Sequence, residues 1–273
     1  MPNAENVAAP INIHGFGRSG TTLLQNVLGA TGFIQVCNET AGLVFSCYRG
    51  GELLLPSDDK EAPGGPGEPL LAVRALHAAL CATLPSRKPT WCQKLGGIPN
   101  GVVWSMIDAV DRQYAAEPYP FPYGWYWQVL TNAFPHGRDL LILRDWRDVI
   151  ASRVRFSGHA AEDVAADVAI YFNLMAHPAN RIEHVIRYES LVASPAPVLS
   201  ALFGSLGLAY SDRLTMPLDW HAAPSADRTL SEARKAGFSR QDQHEAVLTP
   251  AIRRTLAPAL DRIAGRFGLE LPG

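Results

Sequence analysis

Short apolar runs broken by glycine alternate along this chain with longer stretches in which apolar residues return every three or four positions. The first run, Ile11–His14, stops at Gly15 and Gly17, and in Thr21–Ala30 the residues Leu23, Leu24, Val27 and Leu28 recur with helical spacing. That is strand, glycine turn, helix. Residues 33–36 predict a second strand, 41–48 a short helix, 70–84 a helix, 90–95 a strand and 101–115 another helix. The run DLLIL at 139–143 is continuously apolar after its aspartate and ends at Arg144 and Asp145, as a strand covered on both faces would. Helices are predicted at 146–156, about 162–175, 195–206 and 251–267, with a late strand at 184–188. This order predicts an α/β fold: one domain over 1–273, a central parallel sheet with helices on both faces, and a flexible start over 1–10.

Two stretches break the pattern. Residues 56–69 (PSDDKEAPGGPGEP) hold four prolines and three glycines, which predicts a surface loop, either a plain linker or a flap over an acceptor site. Residues 119–127 (YPFPYGWYW) place six aromatics in nine positions and read equally well as a packed corner of the core or as an aromatic wall for a ligand.

Composition narrows the classes. Apolar residues make up 47% of the chain and charged residues 18%, a globular profile rather than that of a disordered chain. Lys and Arg number 24 against 26 Asp and Glu, so the formal net charge of −2 gives no general field for nucleic acid, and any anion site must be local. No apolar run is long enough to span a bilayer, and residues 1–10 lack the basic and apolar segments of a leader, so a cytoplasmic protein without a membrane partner is expected. The four cysteines are scattered without a C-x-x-C pair or neighbouring histidines, which predicts free thiols and no metal site.

The chemistry concentrates at Gly15-Phe16-Gly17-Arg18-Ser19-Gly20-Thr21-Thr22-Leu23-Leu24. Between a strand and a helix, backbone N–H groups converge on an anion at the positive helix end, and glycines let the backbone close around it. Thr21 and Thr22 add hydroxyls, and Arg18 adds a fixed guanidinium able to donate two parallel hydrogen bonds. A nucleoside-triphosphatase loop needs Lys before its Ser or Thr, the hydroxyl reaching magnesium; here Gly20 is followed directly by Thr21. The residues alone leave a P-loop nucleoside or small-molecule kinase and a non-catalytic nucleotide-binding module open.

The stretch GxGRSGTTLL resembles the 5′-phosphosulfate loop of sulfotransferases that use 3′-phosphoadenosine 5′-phosphosulfate (PAPS). A second stretch, Arg144-Asp145-Trp146-Arg147-Asp148-Val149-Ile150-Ala151-Ser152, is similar to that family's 3′-phosphate motif, with Arg144 at a strand end and Ser152 two turns into the next helix. Trp146 stands where relatives often carry Pro, a departure read as neutral, and Arg147 and Asp148 read as a solvated first turn. A third stretch, 187–195 with the helix leading to Leu206-Gly207-Leu208, is similar to the family's late strand and helix, where Tyr188 would approach the adenine. The three occur in family order.

The resemblance implies a P-loop-like sulfotransferase fold and PAPS as donor, with 3′-phosphoadenosine 5′-phosphate (PAP) as product. It implies no metal, and a small-molecule or peptide acceptor carrying a hydroxyl or amine. Gly17, Arg18, Ser19, Gly20, Thr21 and Thr22 would hold the 5′-phosphosulfate, with Arg18 also serving the transfer, while Arg144, Ser152 and Tyr188 would hold the 3′-phosphate and base. Glu39 resembles in placement the catalytic Glu of tyrosylprotein sulfotransferases, making it the candidate base; a carboxylate at a helix start is the plainer alternative. Lys94 resembles the Lys that neutralises the transferring sulfonate, although Leu95-Gly96 departs from the Asp-Pro or Thr-Pro that often follows. Arg234 and Lys235 loosely resemble the family's late loop over the 3′-phosphate.

Overall fold

The computed structural model describes residues 10–39, 90–95, 126–127, 130–131, 134–216 and 248–272. Within them lie β1 (Ile11–His14), α1 (Thr21–Ala30), β2 (Ile34–Glu39), β3 (Thr90–Lys94) and β4 (Arg138–Leu143). After these come α2 (Trp146–Ser157), α3 (Ala161–Ala176), β5 (Ile182–Arg187), α4 (Tyr188–Ala193), α5 (Pro195–Ser205), a 3₁₀ turn (Asp212–Thr215) and α6 (Pro250–Phe267). The segments expected at 41–48, 56–69, 70–84 and 101–115, and residues 119–125, lie outside the described residues.

All strand pairs are parallel, in the order β2-β3-β1-β4-β5. β1 is central, and the chain leaves it with β3 on one side and β4 on the other, so the loop after β1 opens into the crevice where parallel sheets bind ligands. The alternation of β4 shows why the sheet is covered twice. Leu140 and Ile142 pack with Ile11, Ile13, Leu24, Val27, Leu28, Leu199 and Phe203 on the α1–α5 face. Leu141 and Leu143 pack with Trp127, Trp146, Ile150, Val168, Tyr171 and Ile263 on the α2–α3–α6 face.

Two strands depart from their predicted bounds. β2 begins at Ile34 and runs through polar Asn38 to Glu39, because β3 lies alongside and continues the ladder after the apolar run stops. β5 begins at Ile182 and ends at Arg187, and Tyr188 is the first residue of α4 rather than the last of a strand.

Not every inward position on the sheet is apolar. Asn12, His14, Gln93 and Asp139 are all fully buried. Asp139 accepts from Asn12 Nδ2 (3.0 Å) and Arg181 Nε (2.5 Å), its Oδ1 lies 2.7 Å from His14 Nε2, and Gln93 Nε2 donates to Asn12 Oδ1 (2.7 Å). Burial alone would push the Asp139 carboxyl up; the bond and charge of His14 and the charge of Arg181 outweigh it and hold the carboxyl below its usual range. His14 immediately precedes the glycine loop, so this network anchors the strand that carries it.

The aromatic stretch ends in the core. Trp127 is wholly buried, its indole N–H donating to the Leu174 carbonyl, and Tyr126 packs edge-on against it. Of the four cysteines, Cys92 (buried) and Cys37 (half-buried) are free thiols. Among the described residues no helix is long and apolar enough to cross a membrane.

Candidate active site

The loop between β1 and α1 takes its shape from three backbone choices. Gly20 adopts φ +102° at the start of α1, and a Cβ there would lie 2.6 Å from Cδ2 of Tyr188. Gly15 is enclosed as tightly: a Cβ would meet Thr21 Cγ2 at 2.6 Å and Ile142 Cγ2 at 2.8 Å. Arg18 is the third, a non-glycine residue at φ +80°, a left-handed conformation that costs on the order of 1 kcal/mol and is kept where surrounding contacts fix it. The turn is closed by Ser19 N–H donating to the Phe16 carbonyl (2.9 Å). At its root, Gly15 N–H donates to the Tyr171 hydroxyl (2.6 Å).

No side chain caps α1. The first N–H groups of a helix have no partner within it, and here they open onto the loop at the positive end of the helix dipole. That is the donor set an anionic oxygen requires.

One side of the loop faces α2. Arg18 Nε donates to Ser152 Oγ (3.1 Å) and Arg144 Nη1 to the Arg18 carbonyl (3.5 Å), so the two predicted phosphate motifs touch. The Arg144 guanidinium lies 4.7 Å from the centroid of the Tyr188 ring. Burial raises the Tyr188 hydroxyl above its ordinary range, partly opposed by the Arg144 charge. Tyr188 therefore packs between Gly20 and Arg144.

The other side faces β3. Lys94, 4% exposed, donates from Nζ to Thr22 Oγ1 (3.3 Å). The β2–β3 register pairs Glu39 with Lys94 across an irregularity between Cys37 and Glu39. Glu39 is thus the last residue of β2, at the carboxyl edge of the sheet beside Lys94, rather than a residue after the strand. The structure brings together Gly17 to Thr22, Lys94, Arg144, Ser152 and Tyr188, with the Glu39 backbone at the same edge. Arg234 and Lys235 lie outside the described residues.

Several neighbours escaped the sequence reading. Asp148 is 4% exposed rather than solvated and lies 3.3 Å from Arg144 Nη2 as an i, i+4 pair, a spacing visible in the sequence. Arg147 instead pairs with the helix-capping Asp145 (2.6 Å). Trp146 is buried, and its N–H donates to the Pro272 carbonyl (2.8 Å), a partner far along the chain that gives the residue at the family's Pro position a structural task. Glu189 accepts from Asp145 N–H (2.7 Å) and ties α4 to the start of α2.

A strand–loop–helix turn with uncapped helix N–H groups, an arginine–serine pair on the neighbouring strand and helix, and a lysine at the third strand's end meet at one edge of the parallel sheet, an arrangement of the P-loop-like kind. A sequence profile described as "Sulfotransferase family" matches residues 10–212, and the chain belongs to that family. Among solved structures it is similar to the "Sulfotransferase Domain from the Curacin Biosynthetic Pathway" (19% identity, TM-score 0.49, 98% of this chain and 100% of that one). It is also similar to the "Sulfotransferase Domain from the Synechococcus PCC 7002 Olefin Synthase" (16% identity, TM-score 0.44, 96% of each chain). Comparison with curated proteins gives no match.

Proposed function

We propose that this member of the sulfotransferase family is a single-domain cytoplasmic enzyme that transfers a sulfuryl group from PAPS to a hydroxyl or amine of a small-molecule acceptor. The observation that carries the reading is the contact of Lys94 with Thr22 at the sheet edge where Glu39 pairs in register with Lys94. It gathers an anion cradle, a cation and a carboxylate-bearing residue at one place. The kinase reading lacks its loop lysine and stands outside the family the chain belongs to.

PAPS supplies the sulfuryl group and leaves as PAP. The residues present fit such a donor: two groups of phosphate-type ligands, on the loop and on Arg144 with Ser152, lie in contact with each other. Gly17 to Thr22 hold the 5′ side through N–H and hydroxyl donors, and Arg144 with Ser152 hold the 3′-phosphate. Tyr188 takes its place against the nucleotide, and Arg234 and Lys235 add late-loop contacts. Lys94 and Arg18 neutralise oxygen charge at the reacting centre, an electrostatic contribution preorganised by burial and by the loop. Glu39 takes the proton from the acceptor oxygen or nitrogen as general base.

The test is sulfuryl transfer from labelled PAPS to a panel of phenols, alcohols and amines, with Glu39→Gln beside the natural protein. Gln keeps size and hydrogen bonding but not basicity, so PAP affinity should hold while kcat falls roughly 10²- to 10⁴-fold. A Gln variant with near-normal kcat removes Glu39 as base, and failure of the natural protein to bind PAP removes the assignment altogether.

A further inference from the structure

Arg153 lies at the loop with no counter-charge in contact. Its Nη1 lies 3.7 Å from where a Cβ on Gly17 would stand, so the guanidinium sits against the glycine that opens the anion cradle. Arg138, Arg144, Arg147 and Arg181 each contact a carboxylate, whereas the Arg153 side chain makes no hydrogen bond or ion pair among the described residues. Its remaining contact is aromatic: Cζ stands 5.9 Å from the ring centroid of Phe156, whose ring also carries Arg18 at 5.0 Å.

Phe156 is itself out of place by burial. It is 59% exposed, one helical turn beyond Ser152, where a large apolar ring gains little from packing. A ring face attracts guanidinium groups, and two of them gathered on one ring repel each other unless an anion joins them. Asp167 feels the charges of Arg153 and His159 without contacting Arg153, and burial leaves its carboxyl raised despite them. The Gly17–Ser152 corner thus gathers Arg18, Arg144 and Arg153, with buried Asp148 against Arg144.

We propose that Arg153 is a further donor-binding residue, whose guanidinium bonds a phosphate of the adenosine donor on the Gly17 side of the loop, and that Phe156 is the positioning residue that holds Arg153 and Arg18 there. The proposal rests on the sulfotransferase reading and adds a ligand that the two motifs do not contain.

Calorimetry with PAP, adenosine 5′-phosphate, adenosine 3′-phosphate and adenosine tests it on the natural protein, Arg153→Gln, Arg153→Lys and Phe156→Leu. A charge-assisted contact predicts at least tenfold weaker PAP binding by Arg153→Gln, partial recovery in Arg153→Lys, and unchanged adenosine binding. Whichever monophosphate weakens with PAP identifies the phosphate held. Phe156→Leu should weaken PAP about two- to fivefold with the same monophosphate preference. Equal PAP affinity in Arg153→Gln and natural protein overturns the proposal while leaving the sulfotransferase reading intact. Equal loss for all four ligands, adenosine included, overturns it as a general structural effect. Absence of PAP binding by the natural protein overturns the wider reading and this one together.

Discussion

Replacing Gly20 by alanine perturbs both the backbone and the packing of Tyr188 against the loop. At φ +102° an L-residue costs about 1–2 kcal/mol. The new Cβ would also stand 2.6 Å from Tyr188 Cδ2, 3.1 Å from Cε2 and 3.2 Å from Ile142 Cδ1, where carbon contacts normally lie near 3.5–4.0 Å, so the ring must retreat by roughly 1 Å. Tyr188 cannot retreat freely, because the Arg144 guanidinium lies over its ring. Overpacking of this kind adds about 1–3 kcal/mol, for a total of about 2–5 kcal/mol. In a domain this size each kcal/mol lowers Tm by roughly 2–4 °C, so a drop of roughly 4–20 °C is expected. Gly207→Ala is the control, since Gly207 has φ +69° but nothing within 4 Å of its added Cβ, and only the backbone cost of about 1 kcal/mol should appear. Thermal melting of both variants, with PAP calorimetry on each, separates the two costs. If Gly20→Ala melts no lower than Gly207→Ala, the contact of Tyr188 with the loop does not constrain the site.

Further expectations concern charge. Arg144→Ala should weaken PAP at least tenfold, from about 1.5–3 kcal/mol for one charged contact, and adenosine 5′-phosphate much less, as titration calorimetry will show. Asp139→Asn should destabilise the fold by about 3–5 kcal/mol at neutral pH, since it leaves buried His14 and part-buried Arg181 without their carboxylate. Because the folded carboxyl is held below its unfolded value near 3.8, the natural protein keeps this contribution above about pH 4 and loses it as acid is added through the lowered folded value. Asp139→Asn should flatten that acid limb in denaturant titrations run between pH 3 and 7. Trp146→Phe removes the donor to Pro272 together with the five-membered ring of a buried indole, and should cost about 2–4 kcal/mol in chemical unfolding.

The N-terminal unit was readable because every signal in it is local. An apolar run, glycine punctuation and a helical repeat fall within Ile11 to Ala30, and β1 and α1 match their expected bounds. β4 was equally plain, since a strand buried on both faces writes its burial into consecutive residues. Glu39 was misplaced by one element because β2 continues past its apolar part, held by a neighbouring strand about 50 residues later. Arg153 and Asp148 were missed or dismissed for a related reason: charged residues on a helix read as solvated unless the partner is known. For Arg153 that partner is Gly17, an earlier loop residue with no side chain to announce a contact. The buried polar set on β1, β3 and β4 was illegible for the opposite reason, because polar residues in short strands look like solvent-facing positions.

Helix α6 lies beyond the stretch that the family profile matches, yet Ile252, Leu256, Leu260 and Ile263 belong to the same core cluster as Val164, Val168, Tyr171 and Met175 of α3. For a chain emerging from a ribosome this order matters. Roughly 70 residues separate the end of α3 from the start of α6, a wait of roughly 4–15 s at ordinary synthesis rates. Throughout that interval the nascent chain presents a bare apolar face on α3, the helix whose Tyr171 hydroxyl meets the root of the glycine loop after β1. Expression cut back to residues 10–212 would make that interval permanent, and the product should collect in inclusion bodies or on chaperones although the glycine loop, Arg144, Ser152 and Tyr188 are all present.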